Sequence, residues 1–319
     1  MFPIETAAFR LKKELYDMKQ NDRGLELLIT EKHAGQWLFS VLKSEFQASK
    51  PVITEWMNQE SIQVNRTSPK NNIILKTGDR LFIDLQEKTE SSVIPEYGEA
   101  EILFEDNHML IANKPAGMPT HPNEEGQTGT LSNLIAYHFQ INGEQAKVRH
   151  VHRLDRDTSG AVVFAKHRLA HAILDRQLET KTLKRTYIAA AEGKVTPKKG
   201  TVDSPIGRDR SHSVRRRVSP GGQAAVTHYK VQGYHSGARL SLIELELETG
   251  RTHQIRVHMA SIGHSLAGDD LYGGSRALFH RQALHAKKVS VIHPISGEEI
   301  IAEAPMPADL AHFTDTYFS

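Results

Sequence analysis

Residues 151–165 constrain the fold of this chain most. Val151-His152-Arg153-Leu154-Asp155 alternates charged with less polar side chains, Arg156-Asp157-Thr158-Ser159-Gly160 is rich in turn formers, and Ala161-Val162-Val163-Phe164-Ala165 is an unbroken apolar run. In a strand successive side chains point to opposite faces, so His152 and Leu154 are expected on one side and Arg153 and Asp155 on the other. The pattern predicts strand, turn, strand, with Asp155 where a strand runs out into a loop. A carboxylate there can meet a ligand while the scaffold behind it stays rigid. The same pattern also suits a structural Arg–Asp pair at a hairpin end, which is common and weak at surfaces.

The rest of the chain adds to a sheet without a strict strand–helix–strand rhythm. Residues 101–115 read as two short strands turning at Asp106-Asn107. Leu131, Leu134, Ile135 and His138 have helical spacing behind Thr130 as N-cap, and a second helix covers Arg168–Glu179. Strands are expected over 185–191, 225–232 and Leu240–Leu247, the last with a bulge where its apolar residues change face. Strands and helices mixed in this way predict an α+β fold with a mixed, largely antiparallel sheet, flanking helices and a central cleft.

A polar stretch at 86–92 followed by Pro95 and Gly98 reads as a linker, which divides the chain into an N-terminal module, 1–90, and a larger domain, 91–319. Within the module, helical patterns over 36–46 and 51–59 precede a strand at 62–65 and a strand–turn–strand across 73–85 through Thr77-Gly78-Asp79. Residues 31–85 in this order resemble the small alpha-L type RNA-binding module. Residues 24–30 are strand-like without an assigned place.

Charge is uneven along the chain. The total is +2, but residues 1–100 hold 13 Lys and Arg against 15 Asp and Glu, and residues 289–319 hold five acids and neither base, so residues 101–288 carry +9. A basic middle between acidic ends suits a polyanion-facing surface, although basic residues can also simply solvate a protein. Arg208, Arg210, Arg215, Arg216 and Arg217 fall in a stretch with Pro and Gly, 208–222, expected to be an exposed loop able to clamp a nucleic-acid backbone. The chain has no cysteine, which excludes disulfides, thiolate metal sites and cysteine nucleophiles. No apolar run approaches the roughly 20 residues of a membrane span, and the N-terminus lacks a leader pattern. A cytoplasmic protein is expected.

Two further elements bear chemistry. Glu248-Thr249-Gly250-Arg251-Thr252-His253-Gln254-Ile255-Arg256 places Arg251 where a strand gives way to a helix capped by Thr252. A planar guanidinium can hold a carboxylate ionised through two charge-assisted hydrogen bonds, so Arg251 is a candidate partner for Asp155 or, alternatively, a phosphate contact. Tyr187, in the strand beginning Lys184-Arg185-Thr186, is either core or a ring on which a planar base can stack. His167 and His171, four apart on a helix, lack a third ligand and are expected at the surface. Asp269 and Asp270 could join Asp155 as a two-carboxylate acid/base site.

Residues 152–160, Arg185-Thr186-Tyr187 and residues 249–258, in this order and spacing, resemble the RluA-type pseudouridine synthases. Asn113-Lys114-Pro115-Ala116-Gly117, the segment Gly263-His264 to Tyr272-Gly273, and Leu284-His285-Ala286 extend the likeness over about residues 95–305. The resemblance implies isomerisation of uridine in ribosomal or transfer RNA. It implies Asp155 as the essential carboxylate, Arg251 as its ion-pair partner and Tyr187 as the residue stacking on uracil. Arg153 would fill the stack vacated by the flipped base, and Arg156 and Arg256 would join the loop arginines on RNA. No metal or cofactor is implied, and a monomer is expected. An inactive RNA binder of the same fold would need none of Asp155, Arg251 and Tyr187 together. A hydrolase using Asp155 and Asp269 would release free uracil.

Overall fold

The computed structural model describes residues 18–21, 24–46, 48–86 and 91–318. Residues 1–17, read above for a leader, and 87–90, the middle of the expected linker, lie outside the described residues. The first part of the chain runs β1 (Met18–Asn21), β2 (Gly24–Leu28), α1 (Leu38–Glu45), α2 (Lys50–Asn58), β3 (Ile62–Val64) and β4 (Arg80–Asp84). The strands form an antiparallel sheet in the order β1-β2-β4-β3, which gives the strand-like residues 24–30 their place. The expected strand at 73–76 is absent, because Ile74 makes only an isolated bridge to Trp37. Leu25, Leu27, Leu81 and Ile83 of the sheet pack with Leu38, Leu42, Val52 and Trp56 of the helices.

The larger part runs β5 (Glu101–Glu105), β6 (Met109–Lys114), α3 (Leu131–Ile141), β7 (Arg149–His150), β8 (Ser159–Ala165), α4 (Arg168–Glu179), β9 (Lys184–Glu192) and β10 (Lys199–Asp203). It continues β11 (Ile206–Arg208), β12 (Arg216–Val218), β13 (Val226–His235), β14 (Leu240–Leu247), α5 (Gln254–Ser261), β15 (Leu284–Ile292), β16 (Glu299–Glu303) and α6 (Ala308–Tyr317). A central sheet has the order β10-β13-β14-β9-β15-β8-β6-β5, antiparallel throughout except where β15 and β8 run parallel. This is the mixed, largely antiparallel α+β architecture expected. Strand β8 is buried along its whole length, as a strand covered on both faces must be. On one face Val162 and Phe164 pack with Leu131, Ile135 and Phe139 of α3 and with Ile255 and Met259 of α5. On the other, Ala161, Val163 and Ala165 pack with Ala170 and Leu174 of α4.

Three local features differ from expectation for identifiable reasons. Residues 151–155 are loop, since pairing resumes only at Ser159, where Gly160 allows β8 to approach β15. A Cβ on Gly160, whose φ is +117°, would lie 2.3 Å from the Ala286 carbonyl oxygen, so only glycine fits. The bulge lies on β13, between Val231 and Gly233, opposite the point where β14 changes face. The basic stretch 208–222 is partly structured, with β12 folding back on β11 as a short hairpin.

Helix α4 belongs to both cores. Its Leu169 and Ile173 complete the N-terminal apolar cluster, and Arg168 Nε lies 3.1 Å from Glu55 Oε2 of α2. His167 is buried as its N-cap, accepting from Ala170 N at 3.2 Å, with its other ring nitrogen 2.8 Å from His108. The surface position expected for His167 is therefore corrected; His171 is half-buried beside Asp175. No helix among the described residues is long and apolar enough to cross a membrane.

Candidate active site

Asp155 sits on an irregular loop that keeps a period-2 burial without being a strand. His152 and Leu154 are buried, Arg153 is exposed and Asp155 half-buried. Buried backbone groups need partners, and here side chains supply them. Thr120 Oγ1 accepts from Leu154 N and donates to Leu154 O, each at 3.0 Å. Lys114, fully buried at the end of β6, donates to the carbonyls of Pro115, Met118 and Arg156 at 2.9, 2.6 and 2.9 Å. Burial brings its pKa down to about 7, against the charges of Asp155 and Asp157, which favour the ammonium. His152 Nε2 accepts from Val163 N at 3.3 Å, and burial, helped by the charge of Arg185, lowers its pKa to about 3. The imidazole is thus neutral and fixes the start of the loop to β8.

The carboxylate of Asp155 meets Arg256, not Arg251. Arg256 Nη1 donates to Asp155 Oδ2 at 3.0 Å, while its Nε and Nη2 grip Asp269 as a fork at 2.7 and 2.8 Å. Burial opposes the charged guanidinium, but the hydrogen bonds and charges of the two carboxylates hold its pKa above the ordinary arginine value. One cation thus serves two carboxylates, and no described residue hydrogen-bonds Asp155 Oδ1. Asp269 is 1% exposed and doubly bonded, so it is not placed to act as a second acid or base.

This geometry corrects two expectations. Arg251 Nε donates to Ala224 O at 3.0 Å and its guanidinium pairs with no carboxylate among the described residues. Arg256, expected on RNA, is 7% exposed and occupied by the carboxylates. The helix begins later than expected: His253, not Thr252, is the N-cap, with a left-handed φ of +59° and no side-chain cap bond. Instead Gln254 organises the junction, its Oε1 accepting from Thr249 Oγ1 and Arg251 N and its Nε2 donating to Val226 O. In the folded chain residues 254–259 are all buried, and Arg256 stands between Ile255 and Val257, a place where a cation requires a paired anion.

The cleft in front of Asp155 is lined by Arg153, Arg185, Tyr187, Leu247, Arg251 and His253, among others. Tyr187 is 3% exposed, and burial raises its pKa, opposed by the charge of Arg185 and aided by that of Asp155, so the phenol is neutral. His253 Nε2 lies 3.9 Å from Asp155 Oδ2, and its Nδ1 is 2.9 Å from the Tyr272 hydroxyl, which accepts from Arg216 N at 2.9 Å. This chain of contacts ties the β11–β12 hairpin to the cleft. Arg215 and Arg256 both lie over the Tyr272 ring, 5.5 and 5.0 Å from its centroid. Arg208, Arg210, Arg215 and Arg217 are exposed on the hairpin, Arg216 is half-buried, and Arg156 reaches out beside Asp157. No group of three or more His, Asp or Glu among the described residues is arranged to hold a metal ion.

An arginine-held carboxylate with one unengaged oxygen, opposite a buried aromatic ring and rimmed by cations, suits attack on or proton removal from a planar nucleoside. The comparisons with known proteins agree with this chemistry. Residues 108–261 match the family model described as RNA pseudouridylate synthase. The chain is 71% identical over 302 residues to the RNA pseudouridine synthase YhcT of Bacillus subtilis, covering 95% of this chain and 100% of that one. It is 37% identical over 304 residues to ribosomal large subunit pseudouridine synthase D of Nitrosomonas europaea, covering 92% and 88%. Among solved structures, human RNA Pseudouridylate Synthase Domain Containing 4 matches with a TM-score of 0.55 and 26% identity, covering 67% of this chain and 92% of that one. The chain therefore belongs to the RNA pseudouridine synthases, of the RluA type, and isomerises uridine in RNA to pseudouridine.

Proposed function

We propose that Asp155 is the carboxylate that acts on a flipped-out uridine in structured RNA, with Tyr187 as the surface against which the uracil lies. The observation that carries this reading is the Arg256 bridge, which orients one oxygen of Asp155 and leaves the other toward the cleft that Tyr187 lines. In the isomerisation the bond from ribose C1′ to uracil N1 breaks, the uracil turns, and C5 bonds to C1′. The C5 proton leaves as N1 gains one, so no atoms are exchanged with any co-reactant. Extracting the base from a helix costs a few kcal/mol, which ring stacking and an inserted cation offset. Arg153, exposed beside Asp155, is the cation suited to fill the vacated stack. The hairpin arginines Arg208, Arg210, Arg215, Arg216 and Arg217, with Arg156, are suited to the RNA backbone.

The relatives named ribosomal large subunit pseudouridine synthase D favour large-subunit ribosomal RNA over transfer RNA as substrate. We further propose residues 1–90 as a module of alpha-L type that adds a modest RNA contact, and a monomeric enzyme acting in the cytoplasm. Pseudouridine mapping of total RNA from cells lacking this chain, complemented with wild type or Asp155→Asn, tests the reading. Wild type is expected to restore specific ribosomal sites, and Asp155→Asn to restore none, with turnover in vitro lower by on the order of 10³ or more. Substantial turnover by purified Asp155→Asn would remove Asp155 from the mechanism, and restored sites confined to transfer RNA would reassign the substrate.

A further inference from the structure

We infer that Arg185 is a further catalytic residue, whose guanidinium stabilises the uracil anion as the glycosidic bond breaks. The inference rests on the reading of Asp155 and Tyr187 just given. Arg185 precedes Tyr187 by two on β9, so both side chains leave the same side of the strand, and both line the cleft with Asp155. It is 7% exposed, yet it has no carboxylate within ion-pair distance among the described residues. Its Nε is buried without a hydrogen-bond partner, and Nη2 reaches only the Thr249 carbonyl at 3.3 Å. The guanidinium lies against Gly250, where a Cβ would sit 2.9 Å from Nη1, so a larger residue at 250 would displace it. The fold thus reserves a place for this cation.

An unpaired buried charge is costly and is ordinarily neutralised by a partner. The reaction supplies one transiently. When the C1′–N1 bond breaks, its electron pair goes to the uracil, spreading negative charge over N1 and the carbonyl oxygens. A donor already fixed in a water-poor site is worth more to such a developing anion than to the neutral base, which is the condition for accelerating a step. When C5 bonds to C1′ and the ring exchanges its C5 proton for one on N1, the anion is discharged and Arg185 is again unpaired. A backbone phosphate is a poorer fit, because Arg185 stands behind the rim, beside the ring proposed to hold the base, while the exposed arginines lie outside.

The test compares wild type, Arg185→Met and Arg185→Lys in single turnover on RNA carrying uridine or 5-fluorouridine at the target position. The readouts are loss of the N-glycoside and RNA affinity. Fluorine makes the departing ring a weaker base, so its anion needs less help. Arg185→Met is expected to slow uridine cleavage by on the order of 10²–10³ with RNA affinity nearly unchanged, and to slow 5-fluorouridine cleavage much less. Should Arg185→Met fail to fold, Arg185→Lys gives the same comparison with a smaller loss and the same ordering of substrates. Equal losses on both substrates would mean a purely structural role, and loss of affinity with intact cleavage would mean a phosphate contact; either overturns the inference. A wild-type enzyme without turnover on any RNA uridine would instead count against the functional reading itself.

Discussion

Arg251 and Arg256 stand five residues apart and have opposite circumstances. Replacing Arg256 with Met leaves buried Asp269 and half-buried Asp155 without their shared cation, so a stability loss of about 3–5 kcal/mol is expected together with loss of activity. Arg251→Ala removes a half-exposed side chain bonded to one carbonyl, so it should leave the melting temperature nearly unchanged and weaken RNA binding more than turnover. Thermal denaturation and filter binding on the two variants check both outcomes, and the reverse ordering would restore Arg251 as the carboxylate's support. The sequence shows both arginines but does not show which faces the loop. That depends on His253 taking a left-handed backbone, which delays the helix to Gln254, and on Asp269, beyond the end of α5, returning to Arg256. That Asp155 and Tyr187 face one cleft was legible, because motif and a period of two set their positions. Arg256 was not, because its role lies in contacts with residues 101 positions before it and 13 after it.

At the level of elements, the catalytic loop is held from the inside. Thr120→Val removes the hydroxyl that both accepts from and donates to Leu154, leaving two buried backbone groups unpaired. We expect a loss of about 1–3 kcal/mol and a fall in turnover larger than any fall in RNA affinity. An unchanged turnover with the same loss of stability would separate the clamp from catalysis. This clamp also explains why residues 151–155 read as a strand. Alternate residues are drawn inward by Thr120 and by packing of Leu154, so the period of two is real although no neighbouring strand supplies a ladder beyond the bond from Val151 N to Val163 O. Helix α4 and strand β14 were legible to the residue because period and flanking residues agree there. The parallel pairing of β8 with β15 was not, since Ser159 and His285 meet across 126 positions and only the glycine at 160 hints at a close approach.

The molecule as a whole carries several histidines held neutral inside. Burial lowers the pKa of His108 to about 4 and of His152 to about 3, and that of His167 well below the ordinary 6.5. Between about 6.5 and 4 the unfolded chain therefore binds protons that the folded one does not. Stability should be fully present above that window and fall as pH drops through it, each tenfold difference in proton affinity being worth about 1.4 kcal/mol. Lys114 acts with the same sign in another range. Its pKa of about 7, against 10.5 when unfolded, makes stability rise between those values as the buried ammonium gives up its proton. Urea denaturation from pH 4.5 to 9 checks both, and a flat profile below 6.5 would mean that the histidines are charged in the folded protein.

The shared position of α4 has a consequence for synthesis of the chain. Domains are generally completed in the order in which they leave the ribosome, but the apolar cluster around Leu25, Leu42 and Trp56 includes Leu169 and Ile173. The first-made sheet therefore emerges with part of its core still unmade. It waits, covered by α1 and α2 but not by α4, until the loop bearing Asp155 and the strand after it have also appeared.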